Sequence, residues 1–499
     1  MKQAYNPFLP LNEYVPDGEP HVFGDRIYLF GSHDKEGGES FCLLDYVVWS
    51  APVDDLSNWS HTGVTYSAKQ DPLFEENTRC HLYAPDVVRG NDGRYYLYYC
   101  LSGFKGNGGY ANPISVAVSD APDGKYEYLG VVRDLSGEPY MRYICFDPAV
   151  INDEGTIRLY YGTCYPFDEY SNFLTRRIFA NVEAPMFGKT PAEILSHPDG
   201  VMGAVTVTLA DDMLTVMGEA KHVIPTRTKK TDFAGHAFFE GSSIRKIGDT
   251  YYFIYSSLLN HELCYATSKY PDRDFRYGGT IVSTGDIGLN GRKAKDRLNH
   301  TGTTHGSIEC INRQWYVFYH RLTHSSGYSR QACAEKITIE ADGSIRQVPV
   351  TSCGLNNGSL YAEGNYPATI ACVLTDGHME HCGNSFTKKP HPNHNHLGNE
   401  HFITGVMDGT LIGFRSFSYT GKHKLSLQTR GEGVGEFIIS TELGGAAIGK
   451  IAVTSARCWQ TDCAEIPFSA GDGDLYLTYH GKGSKELIAI SFDGGNDHA

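Results

Sequence analysis

Apolar and polar positions alternate along this chain in short runs, and one run recurs five times. Gly24-Asp25 leads into Arg26-Ile27-Tyr28-Leu29-Phe30, and Asp92-Gly93 into Arg94-Tyr95-Tyr96-Leu97-Tyr98-Tyr99. Glu154-Gly155 leads into Thr156-Ile157-Arg158-Leu159-Tyr160-Tyr161. Gly248-Asp249 and Asn312-Arg313 open the last two copies, Thr250 to Tyr255 and Gln314 to His320. Each predicts a tight turn feeding an aromatic, β-branched strand. Tyr28, Tyr96, Tyr160, Tyr252 and Tyr316 mark the copies, spaced by 68, 64, 92 and 64 residues. A unit this short must bury its apolar face against its neighbours, so a ring of sheets follows. Five units imply an all-β chain that begins with a five-bladed β-propeller over residues 1–350.

Partner strands follow the phrases, at Val48-Trp49-Ser50-Ala51-Pro52, Val116 to Pro122 and Cys264 to Ser268. The spacing of 92 holds an insertion, placed at Phe167 to Ala192, with a helix expected over Pro191-Ala192-Glu193-Ile194-Leu195. Insertions of this kind sit on the loop face and narrow a site there. Beyond the turn Cys353 to Gly358, a second β-rich domain is expected over residues 360–499. Its strands include Gly435-Glu436-Phe437-Ile438-Ile439, Gly449 to Val453 and Asp474 to Tyr479, a pattern that predicts a jelly-roll-like β-sandwich. His378 to His401 contains six histidines in a polar stretch, and it reads as a solvated loop because no spacing matches a metal-ligand pattern. The cluster Gly106-Asn107-Gly108-Gly109 leads into no helix, so it is no nucleotide loop.

Composition narrows the partners. A net charge of −15 over 499 residues argues against nucleic acid or an anionic membrane. No apolar run spans a membrane, and MKQAYNPFLP has no signal-like core. Thirteen scattered cysteines fit reduced thiols better than a disulfide framework, so a cytoplasmic location is expected, or an extracellular one had a signal been removed.

In a propeller the first strand of each blade lies beside the axis, so acids there converge from distant positions. Asp17, Asp147 and Glu240 precede their marker tyrosines by 11, 13 and 12 residues, and Asp86 precedes its own by 10. Each is therefore expected on the inner strand of its blade.

Five segments then acquire a joint meaning. They are PDGEPHVFGDRIYLFGS, LYAPDVVRGNDGRYYLYY, CFDPAVINDEGTIRLYYGT, FFEGSSIRKIGDTYYFIYSS and HGSIECINRQWYVFYHR, in chain order. Together they resemble glycoside hydrolase family 43, five-bladed inverting glycosidases of arabinose- and xylose-containing polymers. The resemblance covers roughly residues 5 to 345. It implies Asp17 as general base, Glu240 as general acid and Asp147 as the carboxylate that tunes and orients that acid. Inverting hydrolysis needs such a pair, one carboxylate to activate water and one acid to protonate the leaving oxygen. The family usually has Asp-Pro at the first acid; here Asp17-Gly18 stands there with Glu19-Pro20 close behind, so Glu19 is a rival base. Glu-Gly-Pro is here Glu240-Gly241-Ser242, with the acid intact.

The same resemblance places Arg330 where the sugar is reached and Asp86 in the second-blade Ala-Pro-Asp segment. Trp49 and Phe146 are candidate walls of the sugar pocket. His305 matches a histidine that in many members lies by an axial calcium or its waters; the chemistry itself requires no cofactor. The C-terminal segments FITGVMDGTLIGFRSF, GVGEFIIS, CWQTDCAEIPF and GDLYLTYHGKG resemble carbohydrate-binding module family 6, with Trp459 at a sugar-stacking position. The expected function is an α-L-arabinofuranosidase or β-xylosidase acting on oligosaccharides derived from plant polysaccharides. A non-catalytic sugar-binding propeller and an endo-arabinanase stand as alternatives.

Overall fold

The computed structural model describes residues 3–76, 80–103, 110–164, 172–196, 200–324, 326–381 and 391–493. The glycine cluster at 106–109 lies outside these, as do residues 167–171 of the insertion. Each recurrent phrase is the second strand of an antiparallel blade. Blade one comprises β1 (Glu19–Phe23), β2 (Arg26–Phe30), β3 (Tyr46–Pro52) and β4 (Ser60–Tyr66). Blade two comprises β5 (Leu82–Arg89), β6 (Tyr95–Leu101), β7 (Ile114–Ser119) and β8 (Glu127–Val131). Blade three is β9 (Ala149–Asp153), β10 (Thr156–Tyr161), β11 (Val205–Leu209) and β12 (Val216–His222). Blade four is β13 (Phe238–Ile247), β14 (Thr250–Ser257), β15 (Glu262–Ser268) and β16 (Arg276–Ser283). Blade five has three strands, β17 (Ser307–Ile311), β18 (Gln314–Leu322) and β19 (Arg330–Ile337).

The first hairpin turns on two residues in every blade but the second, where Gly90 to Arg94 join the strands. In blades three and five both turn residues have positive φ, Glu154 and Gly155 at 54° and 93°, Asn312 and Arg313 at 48° and 70°. That backbone matches the right-handed twist of paired strands, which is why the turn and the strand recur as one phrase. The first strands neighbour one another around the axis: β1 with β5, β5 with β9, β9 with β13, β13 with β17, and β17 with β1. A bridge between Gly18 and Gly306 joins the first blade to the last and closes the ring.

Each gap between blades has its own apolar cluster. Phe30, Tyr66, Leu97 and Tyr99 fill the first gap, Tyr98, Val116, Leu159 and Tyr161 the second. Tyr160, Phe238, Phe253 and Tyr255 fill the third, Ile254, Tyr265, Val317 and Tyr319 the fourth. Val15, Ile27, Trp49, Phe318 and Ala332 fill the last. Complete burial of one such aliphatic or phenylalanine side chain contributes about 1.5–3 kcal/mol, so the seams hold the blades in register.

The insertion after β10 is helical. Helix α1 (Phe173–Met186) is capped by Asn172, whose side chain accepts from Leu174 and Thr175 N–H, and α2 (Pro191–Leu195) by a Thr190–Glu193 capping box. The sequence predicts only α2. Ala180 and Ala184 seat α1 against blades three and four.

The C-terminal strands form two sheets. One runs β20 (Leu360–Tyr361), β25 (Leu411–Tyr419), β30 (Gly471–Lys482), β27 (Val434–Ser440) and β28 (Gly449–Val453), with β22 (Val373–Thr375) also on β25. The other runs β23 (Asn393–Leu397), β24 (Glu400–Val406), β31 (Lys485–Asp493), β26 (His423–Gly431) and β29 (Ala456–Ile466), with β21 (Gly364–Pro367) on β31. Phe414, Phe417, Leu427, Leu477 and Ile490 pack between them. The histidine-rich stretch is not a solvated loop among the described residues: it supplies β23 and the start of β24, and His391 and His394 are buried.

The sandwich docks on blades four and five. Cys372, Val373 and Tyr476 join the cluster of the fourth gap. Arg415 pairs with Asp286, and Arg321 donates to Ala371 O at 3.2 Å.

Candidate active site

Three acids from three blades meet at one end of the axis. Asp17 and Asp147 lie two residues ahead of β1 and β9, not on those strands as the sequence suggests; Glu240 lies within β13 at a register shift. Asp17 and Asp147 both have positive φ, 58° and 45°. Non-glycine residues pay for that conformation, and it turns each side chain out of the ladder toward the axis.

Asp17 is almost fully enclosed and richly partnered. Arg330 Nη1 donates to its Oδ1 at 3.0 Å and Ser32 Oγ to its Oδ2 at 2.6 Å. His320 Nδ1 accepts from the Asp17 N–H at 3.2 Å, which leaves that imidazole's other nitrogen to carry the proton toward Thr303 Oγ1 at 3.3 Å. Burial opposes the charge on Asp17, but Arg330, then His320 and His305, hold its carboxyl down at about 2. Asp34 in turn grips Arg330, accepting from Nε at 2.8 Å and Nη2 at 3.0 Å. The guanidinium therefore lies fixed between two carboxylates, with Phe41 under it at 4.6 Å.

The other two acids are pushed the opposite way. The outer edge of Glu240 opens to the cavity, while the protein around it, followed by the charge of Asp17, pushes its carboxyl up to about 8. Burial, then Glu240, then Asp17 raise Asp147 well above the usual range. The site thus sets the ionised Asp17 opposite Glu240, an acid that keeps its proton near neutral pH. Asp147 Oδ2 accepts the Gly241 N–H at 2.9 Å, which fixes the backbone that presents Glu240.

These groups line a cavity of about 270 Å³. Phe41, Tyr83, Tyr110, Phe146, Phe187 and Phe239 form its apolar walls, and Glu183 and Met186 of α1 form one side. Tyr110 meets Phe146 edge-on at 4.7 Å and Tyr83 at 5.0 Å, so the wall is a continuous aromatic chain. His305 also faces the cavity, its Nδ1 3.8 Å from Asp17 and 3.9 Å from Asp147.

Five predicted residues besides the acids divide between the cavity and elsewhere. Phe146, Arg330 and His305 line it. Trp49 does not: it sits on the third strand of its blade, in the seam between blades one and five, with Nε1 donating to Glu13 at 3.3 Å. Trp459 is remote on β29, with the Arg430 guanidinium 4.2 Å over its ring. Glu19, the rival base, points away and pairs with Arg245 at 3.0 Å.

Asp86 is likewise absent from the cavity. Its Oδ1 accepts from Val87 N–H and meets His21 Nε2, both at 2.7 Å, and its Oδ2 accepts Val150 N–H at 2.7 Å. It thereby ties blade two to blades one and three. Asp86→Ala leaves these buried donors unpaired, and thermal or denaturant unfolding should report a loss of about 3 kcal/mol. The kcat/KM of the folded variant should stay near wild type.

The sequence reading misses Ser32, Asp34, Thr163, Glu183 and His320. Three of these have a usable signal, because Ser32, Thr163 and His320 fall where a recurrent strand ends at the axial face. Asp34 and Glu183 have none.

A ring of blades with a buried carboxylate and a proton-bearing acid across an aromatic cavity defines a hydrolase of glycosidic bonds. The family model of glycosyl hydrolases family 43 matches residues 5–174. A xylosidase/arabinosidase of Thermoclostridium stercorarium is 42% identical over 505 residues, covering 98% of this chain and 99% of its own. Xylosidase/arabinosidase 43A of Humicola insolens is 28% identical, over 67% of this chain and 96% of its own. Among solved structures, a family 43 enzyme of Xanthomonas citri complexed with xylose matches at TM-score 0.51 and 24% identity, covering 70% of this chain and 93% of its own. The chain belongs to glycoside hydrolase family 43, and it is a glycosidase that needs no cofactor for its chemistry.

Proposed function

We propose that this enzyme is an inverting exo-acting glycosidase that releases D-xylose or L-arabinofuranose from the ends of short oligosaccharides. The observation that carries the reading is the placement of Asp17 and Glu240 on one cavity, the first bound by Arg330 and held down, the second pushed up by burial. Asp17 takes a proton from water as that water's oxygen attacks the anomeric carbon; Glu240 gives its proton to the departing glycosidic oxygen. Asp147 positions Glu240 through Gly241, and Arg330 keeps Asp17 charged and oriented. The aromatic walls suit the C–H faces of a pentose. A cavity of about 270 Å³ with α1 along one side suits one terminal sugar better than the open cleft an endo-arabinanase needs. The relatives named for xylosidase and arabinosidase activity support these two sugars.

A structural calcium at His305 is a finer question. Its Nε2 is buried without a partner among the described residues, which suits a water or an ion's water shell. Calcium takes six to eight oxygens, so a lone imidazole would hold such an ion only through water. We propose a bracing role for the sandwich, since Arg430 covers a face of Trp459 that a sugar would need.

The test is hydrolysis of an aryl α-L-arabinofuranoside and an aryl β-D-xyloside, with the product anomer read by NMR. Turnover of at least one with inverted configuration is expected. The kcat/KM should fall above about pH 8 as Glu240 loses its proton. No turnover of either, or a retained anomer, overturns the reading.

A further inference from the structure

Outside the active site, three imidazoles and a carboxylate converge where the propeller meets the sandwich. Glu36 comes from the loop after β2, and His324 from the exit of β18. His396 and His401 face each other across the β23–β24 hairpin as Cα partners. Directly opposed residues in a hairpin put their side chains on one face, so the two act as a pair despite their spacing in sequence.

The ligand-type atoms are close. His324 Nε2 lies 2.9 Å from His396 Nδ1, His396 Nδ1 3.7 Å from Glu36 Oε1, and His401 Nε2 2.8 Å from that same oxygen. A tetrahedral zinc ion with bonds of 2.0–2.1 Å spaces its ligand atoms about 3.3 Å apart. The two edges within the cluster of Glu36, His324 and His396, 2.9 and 3.7 Å, bracket that value. Tyr14 donates to Glu36 Oε1 at 3.2 Å, an outer contact that fixes the carboxylate. His324 is buried, while His396 keeps 32% of its side chain exposed and leaves a way in.

We propose that Glu36, His324 and His396 form a structural site for a divalent transition metal of the zinc class, with His401 holding the Glu36 carboxylate from outside it. Imidazole and carboxylate ligands favour such ions over calcium or magnesium. Three protein ligands and a water complete a tetrahedron, and the site's place at the seam, away from the catalytic cavity, makes its role stabilising. The ion would clip the sandwich hairpin to loops of the first and last blades. One of those loops also carries Asp34, the carboxylate that grips Arg330.

The test uses the full chain free of any affinity tag, stripped with chelator and titrated with Co²⁺, then Zn²⁺. One equivalent of Co²⁺ should give the intense visible absorption of a tetrahedral site, and one equivalent of Zn²⁺ should abolish it. Zn²⁺ should also raise the melting temperature by several degrees. His396→Ala and His401→Ala, at partly exposed hairpin positions, should each weaken binding more than tenfold while circular dichroism stays unchanged. Glu36→Gln provides a third variant should either fail to fold. No cobalt band, or an undiminished band in the variants, overturns the proposal.

Discussion

Glu240→Gln is expected to lower kcat on an unactivated xylo- or arabino-oligosaccharide by about 10²–10⁴-fold, the usual contribution of a general acid. The amide preserves shape and hydrogen bonding but has no proton to give. The loss should therefore shrink with leaving-group basicity, and a dinitrophenyl glycoside should recover much of the rate. The decline of activity above about pH 8 should vanish on that substrate, because the group responsible is gone. A variant equally impaired on good and poor leaving groups would assign Glu240 to binding instead.

Arg330→Ala should damage both stability and turnover. The guanidinium is the counter-ion of two buried carboxylates, Asp17 and Asp34. Removing one partner of a buried pair costs about 3–5 kcal/mol, since the remaining charge has no solvent to turn to. The pH dependence has a defined sign. Asp17 is held at about 2 against an ordinary 3.8, so its ionisation adds stability that is fully present above pH 4 and lost as pH falls toward 2. Without Arg330 that depression disappears, and acid unfolding should begin at higher pH. Turnover should drop by about 10²-fold through misplacement of the base. Arg330→Lys keeps a charge but not the fork that engages Asp34, so it should restore stability more than activity. Equal acid-unfolding midpoints in wild type and Arg330→Ala would refute the electrostatic role.

What was legible in the sequence was local or periodic. A short turn and the aromatic alternation behind it lie within about a dozen residues, so each blade announces itself. Asp17, Asp147 and Glu240 were readable because each keeps a near-constant offset from such a strand. The offsets did not reveal the left-handed backbone that lifts Asp17 and Asp147 ahead of β1 and β9. Nor could an offset separate Asp147 from Asp86, because only packing turns the latter toward His21 and Val150. Helix α1 was hidden by its own pattern: Phe173, Leu174, Ile178 and Val182 are exposed, and Pro185 lies inside it. The stripe has helical spacing, but the proline near its end reads in sequence as a break, and the face that packs is made of small residues, Ala180 and Ala184. The Asp34–Arg330 pair spans 296 residues and follows no rule of spacing.

The bridge between Gly18 and Gly306 bears on how the enzyme comes to life. The proposed base belongs to the first blade, whereas its counter-ion Arg330 lies 313 residues further on, and its neighbours His305 and His320 likewise come only with the fifth blade. Until the fifth blade meets the first, Asp17 is an ordinary solvated carboxyl and the acid opposite it has no charged companion. A chain lacking the fifth blade should be inert, because it lacks Arg330, His305 and His320. Maturation of activity should therefore coincide with circularisation of the ring, so the propeller proof-reads its own completeness.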